Sequence, residues 1–259
     1  MSIESILTLF LIGFFGSFLS GLVGIGGSII KYPMLLYIPP LVGMTAFTAH
    51  EVSGISAVQV FFATIAGVWA LRKDKVINYK LVGYMGTAII IGSFIGAYGG
   101  RYLSGDSINL VYGVLATIAA VMMVLPKVKG LDDIPLDQVT FNRGLAVIFA
   151  LAVGVASGIV GAAGAFILVP IMLLVLKIPT RMTIASSLAI TFISSIGSTA
   201  GKVLAGDVLL WPAVIMIVAS VIAAPLGAKL STKINTKLLQ GLLAALILGT
   251  AIKIWTDFL

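Results

Sequence analysis

Cysteine is absent from this sequence, so neither a disulfide nor a thiolate-bound metal can form. Charge is scarce as well. Asp, Glu, Lys and Arg make up 10% of the 259 residues, where a soluble domain carries about a quarter. There is one histidine, so a multi-histidine metal centre is excluded. No G-x-x-x-x-G-K-[ST] pattern occurs, so the chain holds no phosphate loop to power a pump. Residues 1–5 carry Glu4 but no Lys or Arg, so a secretory leader is not expected and the first apolar run should be retained.

What is present is overwhelmingly apolar: 60% hydrophobic residues and a mean hydropathy of +1.19. Runs long enough to cross a bilayer, about 20 residues each, lie near 5–37, 45–71, 80–99, 107–126, 142–178, 182–204, 208–228 and 238–256. The net charge of +7 sits almost wholly between these runs. It therefore reads as a topology signal and not as a nucleic-acid surface. Trp69, Trp211 and Trp255 fall near run ends, as interfacial anchors do. The expected fold class is an all-α polytopic membrane protein in a prokaryotic cell membrane. A first transmembrane repeat over 1–126 and a second over 142–259 flank a polar linker at 127–141.

The repeats are visible as sequence. Residues 20–36, SGLVGIGGSIIKYPMLL, and 157–173, SGIVGAAGAFILVPIML, share eight of seventeen positions at a constant shift of 137. The matches include Gly24 with Gly161, Gly27 with Gly164 and Pro33 with Pro170. The runs holding them are too long for one crossing, since 33 helical residues would reach about 50 Å against a core of about 30 Å. Each has glycines at its middle and a proline beyond, so each reads as a helix that breaks and turns back.

The basic residues support that reading. If all eight runs cross once, nine Lys and Arg fall on one side and seven on the other. If the two long runs return to their own side, the split becomes twelve to four, which the positive-inside rule favours. Each half then adds three crossings to its hairpin, which inverts the second half relative to the first. Inverted repeats of this kind place substrate at their interface near the midplane.

Several residues are candidates for chemistry. Gly24, Gly26, Gly27 and Ser28, with Gly161, Ala163, Gly164 and Ala165 in the second copy, would expose backbone N–H groups to an oxyanion. Small-residue helix packing is the alternative reading of such glycines; the second copy, with its proline at the same spacing, favours the site reading here, and Gly92, Gly96, Gly99 and Gly100 are assigned to packing. His50 and Glu51 are the only histidine and the only glutamate inside an apolar run. Ionisable groups at membrane depth are costly and usually functional, so this pair is the candidate for proton coupling. Its alternative place is the headgroup end of its helix. Lys31 can meet an anionic substrate or Glu51, or snorkel to the interface. Lys202 raises the same question. Gln59, Ser187 and Thr191 extend the substrate-binding set as polar groups that can line a path, although interhelical glue also uses Ser and Thr.

The duplicated glycine-rich segment leading to proline, in a small basic protein of eight apolar runs, resembles the TauE/SafE sulfite exporter family. The resemblance extends from about Phe10 to Leu248. It implies movement of sulfur-containing anions, including sulfite, organosulfonates and sulfoacetate, across the prokaryotic inner membrane. The second copy departs from the first in having Ala162 and Ala163 in place of part of the glycine cluster. The expectation is a secondary transporter with no catalytic residues, no metal and no cofactor. Its partners are a small anionic substrate and membrane lipid, not nucleic acid, with association into a homo-oligomer left open. An anion channel, or an intramembrane enzyme using His50 and Glu51, is the alternative.

Overall fold

The computed structural model describes residues 3–23, 28–71, 76–125, 130–135 and 138–258. The first long run gives α1 (Ile3–Val23) and α2 (Ser28–Leu41) on either side of residues 24–27, and the second is split at its glycines into α6 (Arg143–Val160) and α7 (Ala165–Leu174). The other runs are single helices: α3 (Ala49–Leu71), α4 (Tyr79–Gly99), α5 (Gly105–Val124), α8 (Thr180–Ala205), α9 (Leu210–Ser231) and α10 (Thr236–Phe258). Seven helices among the described residues are long and apolar enough to cross a membrane. Asn78 and Asn142 begin α4 and α6 as N-caps, each side-chain oxygen accepting from the N–H three residues on at 3.0 and 3.1 Å.

Polarity is reversed relative to a soluble protein. Ile91, Val121 and Leu204 are more than half exposed, whereas Lys31, Gln59 and Lys202 are fully buried. The outward apolar side chains have lipid as their solvent, and the polar ones are retained inside. Trp69 and Trp211 are exposed near helix ends.

Glycines set the closest helix contacts. On α4, Gly92 abuts the backbone of Leu151 and Val155 on α6, and Gly158 returns the contact against Ser93 and Ala97. On α1, Gly13 abuts Met216 and Gly21 abuts Ala224 on α9. In both pairs residue numbers rise together, so the helices run parallel. A Cβ at these glycines would strike backbone, as in small-residue membrane packing.

The helices thus form two trios. In one, α9 packs against α1 and α3; in the other, α4 packs against α6 and α8. The trios meet where α3 and α8 run antiparallel, with Thr199 Oγ1 donating to the Ala57 carbonyl at 3.1 Å. The pairing repeats between the halves: α1 on α9 corresponds to α6 on α4, α3 on α9 to α8 on α4, and α10 on α2 to α5 on α7. The ends of α1 and α6 lie at opposite ends of the bundle. Val23, at the end of α1, shares a lining with Thr180 and Thr183 at the start of α8. Gly161, at the end of α6, abuts the Ser53 carbonyl near the start of α3.

Candidate functional site

Within α2, Lys31 turns its side chain into the trio of α1, α3 and α9. Its Nζ donates to Gln59 Oε1 and lies 3.5 Å from Ser17 Oγ. Gln59 Nε2 donates to Ser17 Oγ at 2.7 Å and also to Ser220 Oγ, while Ser17 Oγ donates to Ser220 Oγ at 2.8 Å. All four side chains are buried. Gly16 makes the arrangement possible, because a Cβ there would overlap the methylene stem of Lys31. Gln59 is the eleventh of the 23 residues of α3, and Ser220 the eleventh of the 22 residues of α9. The cluster is therefore at mid-depth of the bundle.

The electrostatics of this cluster are one-sided. Among the described residues, Lys31 has no carboxylate partner; the ion pairs are those of His50 and Lys202 with Asp207. A buried lysine that meets only neutral dipoles has no counter-charge nearby, and holding it as an ammonium calls for an anion beside it. Such a site favours an anion of matching size.

The second hairpin supplies a different surface. Gly161 (φ 72°) closes α6, and Gly164 (φ 79°) opens α7, with Ala163 between them also left-handed at φ 51°. Between Ala163 and Phe166, no N–H group donates to a backbone carbonyl among the described residues. These are the unpaired donors of a helix N-terminus. The two hairpins approach each other through aromatic rings. Tyr32, next to Lys31, stacks on Tyr112 of α5 at 4.5 Å, and Tyr112 lies 6.1 Å from Phe166 in the first turn of α7.

Comparison with known proteins decides the family. The sulfite exporter TauE/SafE family model matches residues 9–254. The chain belongs to the TauE/SafE family. It is a multi-pass membrane protein of a family of transporters, not enzymes. A probable membrane transporter protein YunE of Bacillus subtilis is 24% identical over 221 residues, covering 79% of this chain and 80% of that one. A probable membrane transporter protein of Xylella fastidiosa is 29% identical over 194 residues, covering 73% and 70%. No solved structure matches.

For this TauE/SafE chain the sequence-derived candidates divide into groups. Lys31 and Gln59 come together. Gly161, Ala163, Gly164 and Ala165 form the second break. Gly24, Gly26 and Gly27 lie outside the described residues, as does the side chain of Ser28, the first residue of α2. Ser187 and Thr191 are buried on α8, where Ser187 Oγ donates to the Ile184 carbonyl at 2.9 Å. His50 and Glu51 stand in the first turn of α3, at the end of the bundle, and do not act on each other. Glu51 Oε2 accepts from the Thr48 N–H at 2.8 Å while Thr48 Oγ1 accepts from the Glu51 N–H at 3.2 Å, a capping box. His50 Nδ1 instead faces Asp207 at 3.5 Å, and its Nε2 lies 3.1 Å from the Leu103 carbonyl. Asp207 also holds Lys202 at 3.0 Å.

Sequence reading missed Ser17, Ser220 and Asp207. A lone serine within an apolar run gives no sign of its partners. Asp207 did carry a signal, as the acid that follows Lys202 across the Gly206 helix end.

Proposed function

We propose that this protein is a secondary transporter that moves a small sulfur-containing anion, such as sulfite, an organosulfonate or sulfoacetate, across the inner membrane. The observation that carries the reading is Lys31: a buried lysine at mid-depth with neutral partners and no carboxylate among the described residues. A sulfonate or sulfite oxyanion supplies the missing charge, and Gln59, Ser17 and Ser220 offer hydrogen bonds to its oxygens. The free N–H groups at the start of α7 supply a second anion-directed surface. The repeated packing and the opposed ends of α1 and α6 support two inverted repeats, 1–126 and 142–259, rocking about this site. Lys80, Arg143, Arg181 and Lys229 gather at the end opposite His50, so that end faces the cytoplasm.

The test is uptake by liposomes of sulfite, thiosulfate, sulfoacetate, sulfopropionate and taurine, with and without a pH gradient. Saturable uptake of at least one sulfur oxyanion is expected. Uptake of none, or of every small anion without saturation, would reject the reading.

Proton coupling is assigned to His50, with Asp207 and the neighbouring Lys202 as the charges that face it. Glu51 sits beside His50 in sequence but is engaged by Thr48. His50→Gln is expected to leave anion binding in place and to abolish the response of uptake to a pH gradient. Glu51→Gln, which keeps an acceptor for the Thr48 N–H, is expected to retain it. Loss of the pH response in Glu51→Gln would return Glu51 to the relay.

A further inference from the structure

We infer that one buried face of α8 forms the His50-end half of the substrate path, a file of hydroxyls for water and a small oxyanion. In this structure the file is closed where Asp207 bridges Lys202 and His50. The inference rests on the transporter reading above and extends it to residues outside the Lys31 cluster.

The face is defined by Thr191, Ser194, Ser198 and Lys202, spaced three and four apart so that they share one side of the helix. All four are fully buried. The flanks of α8 are already occupied. Gly197 and Gly201 pack against α4 on one side, and Thr199 meets α3 on the other. The face between them looks into the bundle. From Thr191 to Ser198 the rise is about 10 Å.

The hydroxyls of this face differ from their neighbours. Ser187 and Ser195 return their protons to their own helix, at Ile184 and Phe192. That is the usual resting arrangement of a helical serine. Thr191 Oγ1, Ser194 Oγ and Ser198 Oγ, with Ser56 Oγ from α3, have no hydrogen-bond partner among the described residues. A buried hydroxyl left unpaired is costly, and several along one face call for mobile partners. Water and an oxyanion provide them. Lys202 at the end of the file attracts the anion.

The closure is graded from outside inward. The side chain of His50 is 28% exposed, that of Asp207 10% and that of Lys202 0%. Asp207 belongs to the α8–α9 turn and rests against Gly54 of α3, while His50 reaches the Leu103 carbonyl of the α4–α5 turn. One carboxylate thus ties the two halves together over the mouth of the file. Its departure frees Lys202 for an incoming or leaving anion.

The cysteine-free chain allows a direct test. Single cysteines at Thr191, Ser194 and Ser198, and at lipid-facing Ile196, are placed in nanodisc-embedded protein. Each is exposed to a membrane-impermeant sulfonate-bearing methanethiosulfonate. Ser198→Cys is expected to react slowly, Thr191→Cys more slowly still, and Ile196→Cys not at all. Adding Asp207→Asn, or His50→Gln as a second way to open the closure, is expected to raise the Ser198→Cys rate on the order of tenfold. The inference is overturned if none of the three file positions reacts in either background while the denatured protein reacts fully. It is also overturned if opening the closure leaves the rates unchanged. Labelling is read without substrate, so its failure is distinguishable from a failure of anion uptake.

Discussion

Lys31→Met should abolish anion uptake and leave the protein no less stable. Both halves of that expectation come from the same buried ammonium. Removing the charge that faces a buried anion costs about 2–5 kcal/mol of binding, so uptake should fall on the order of a hundredfold or more. Lys31 has no compensating carboxylate among the described residues, so nothing in the protein itself favours a charge there. Replacing buried ionic groups by apolar ones of similar volume is often neutral or stabilising, by about 1–4 kcal/mol. Methionine keeps a flexible stem that fits beside Gly16; Gln59 Oε1 loses its donor and Ser17 Oγ its long contact to Nζ, but Gln59 Nε2, Ser17 and Ser220 continue to bond one another. The checks are liposome uptake and the melting temperature in detergent. Lys31→Arg keeps the charge but not the shape where Gly16 confines the stem, so intermediate uptake is expected. Unchanged uptake in Lys31→Met would remove the cluster from the substrate site.

Gly161→Val should prevent the second hairpin from forming. The residue has φ 72°, a region that costs a side chain about 1–3 kcal/mol. A Cβ would also strike the Ser53 carbonyl, and such overpacking costs about 1–3 kcal/mol more. Gly206→Ala separates the two effects. It has φ 80° and nothing within 4 Å of an added Cβ, so it bears the backbone cost alone. Gly161→Ala should therefore melt well below Gly206→Ala, and Gly161→Val should yield little monodisperse protein. Equal melting of the two alanine variants would show that the Ser53 contact is soft.

These contrasts mark what the sequence could and could not reveal. Apolar length and glycine position located the helices to within a few residues and the break between α6 and α7, because lipid leaves a chain few alternatives to helices of bilayer length. The same reasoning named Lys31 and Gln59 as candidates for the substrate path, leaving open whether Lys31 snorkels to the interface. It could not join them to Ser17 and Ser220, since a serine within a helix ordinarily bonds its own backbone and its tertiary partner leaves no periodic trace. Glu51 illustrates another limit. Thr48-Ala49-His50-Glu51 is a capping box in plain sequence, but the apolar run around it drew attention to burial. The partner of His50 was hidden for a topological reason: Asp207 is 157 positions away and arrives through the α8–α9 turn.

The packing repeats between the halves, but the charge does not. Lys31 has Leu168 at the constant shift of 137, so the second half has no lysine to match the one at mid-depth, about halfway across the bilayer on the proposed reading. A point at that depth feels about half of the transmembrane voltage. With about 2.3 kcal/mol per elementary charge per 100 mV across the full membrane, a monovalent anion at Lys31 shifts by about 1.2 kcal/mol, or roughly sevenfold in occupancy. In a cell whose interior is negative, that shift strengthens loading from the cytoplasm and weakens loading from outside. On the proposed transporter reading, the electrical field alone would favour loading of a Lys31-bound anion from the cytoplasmic side.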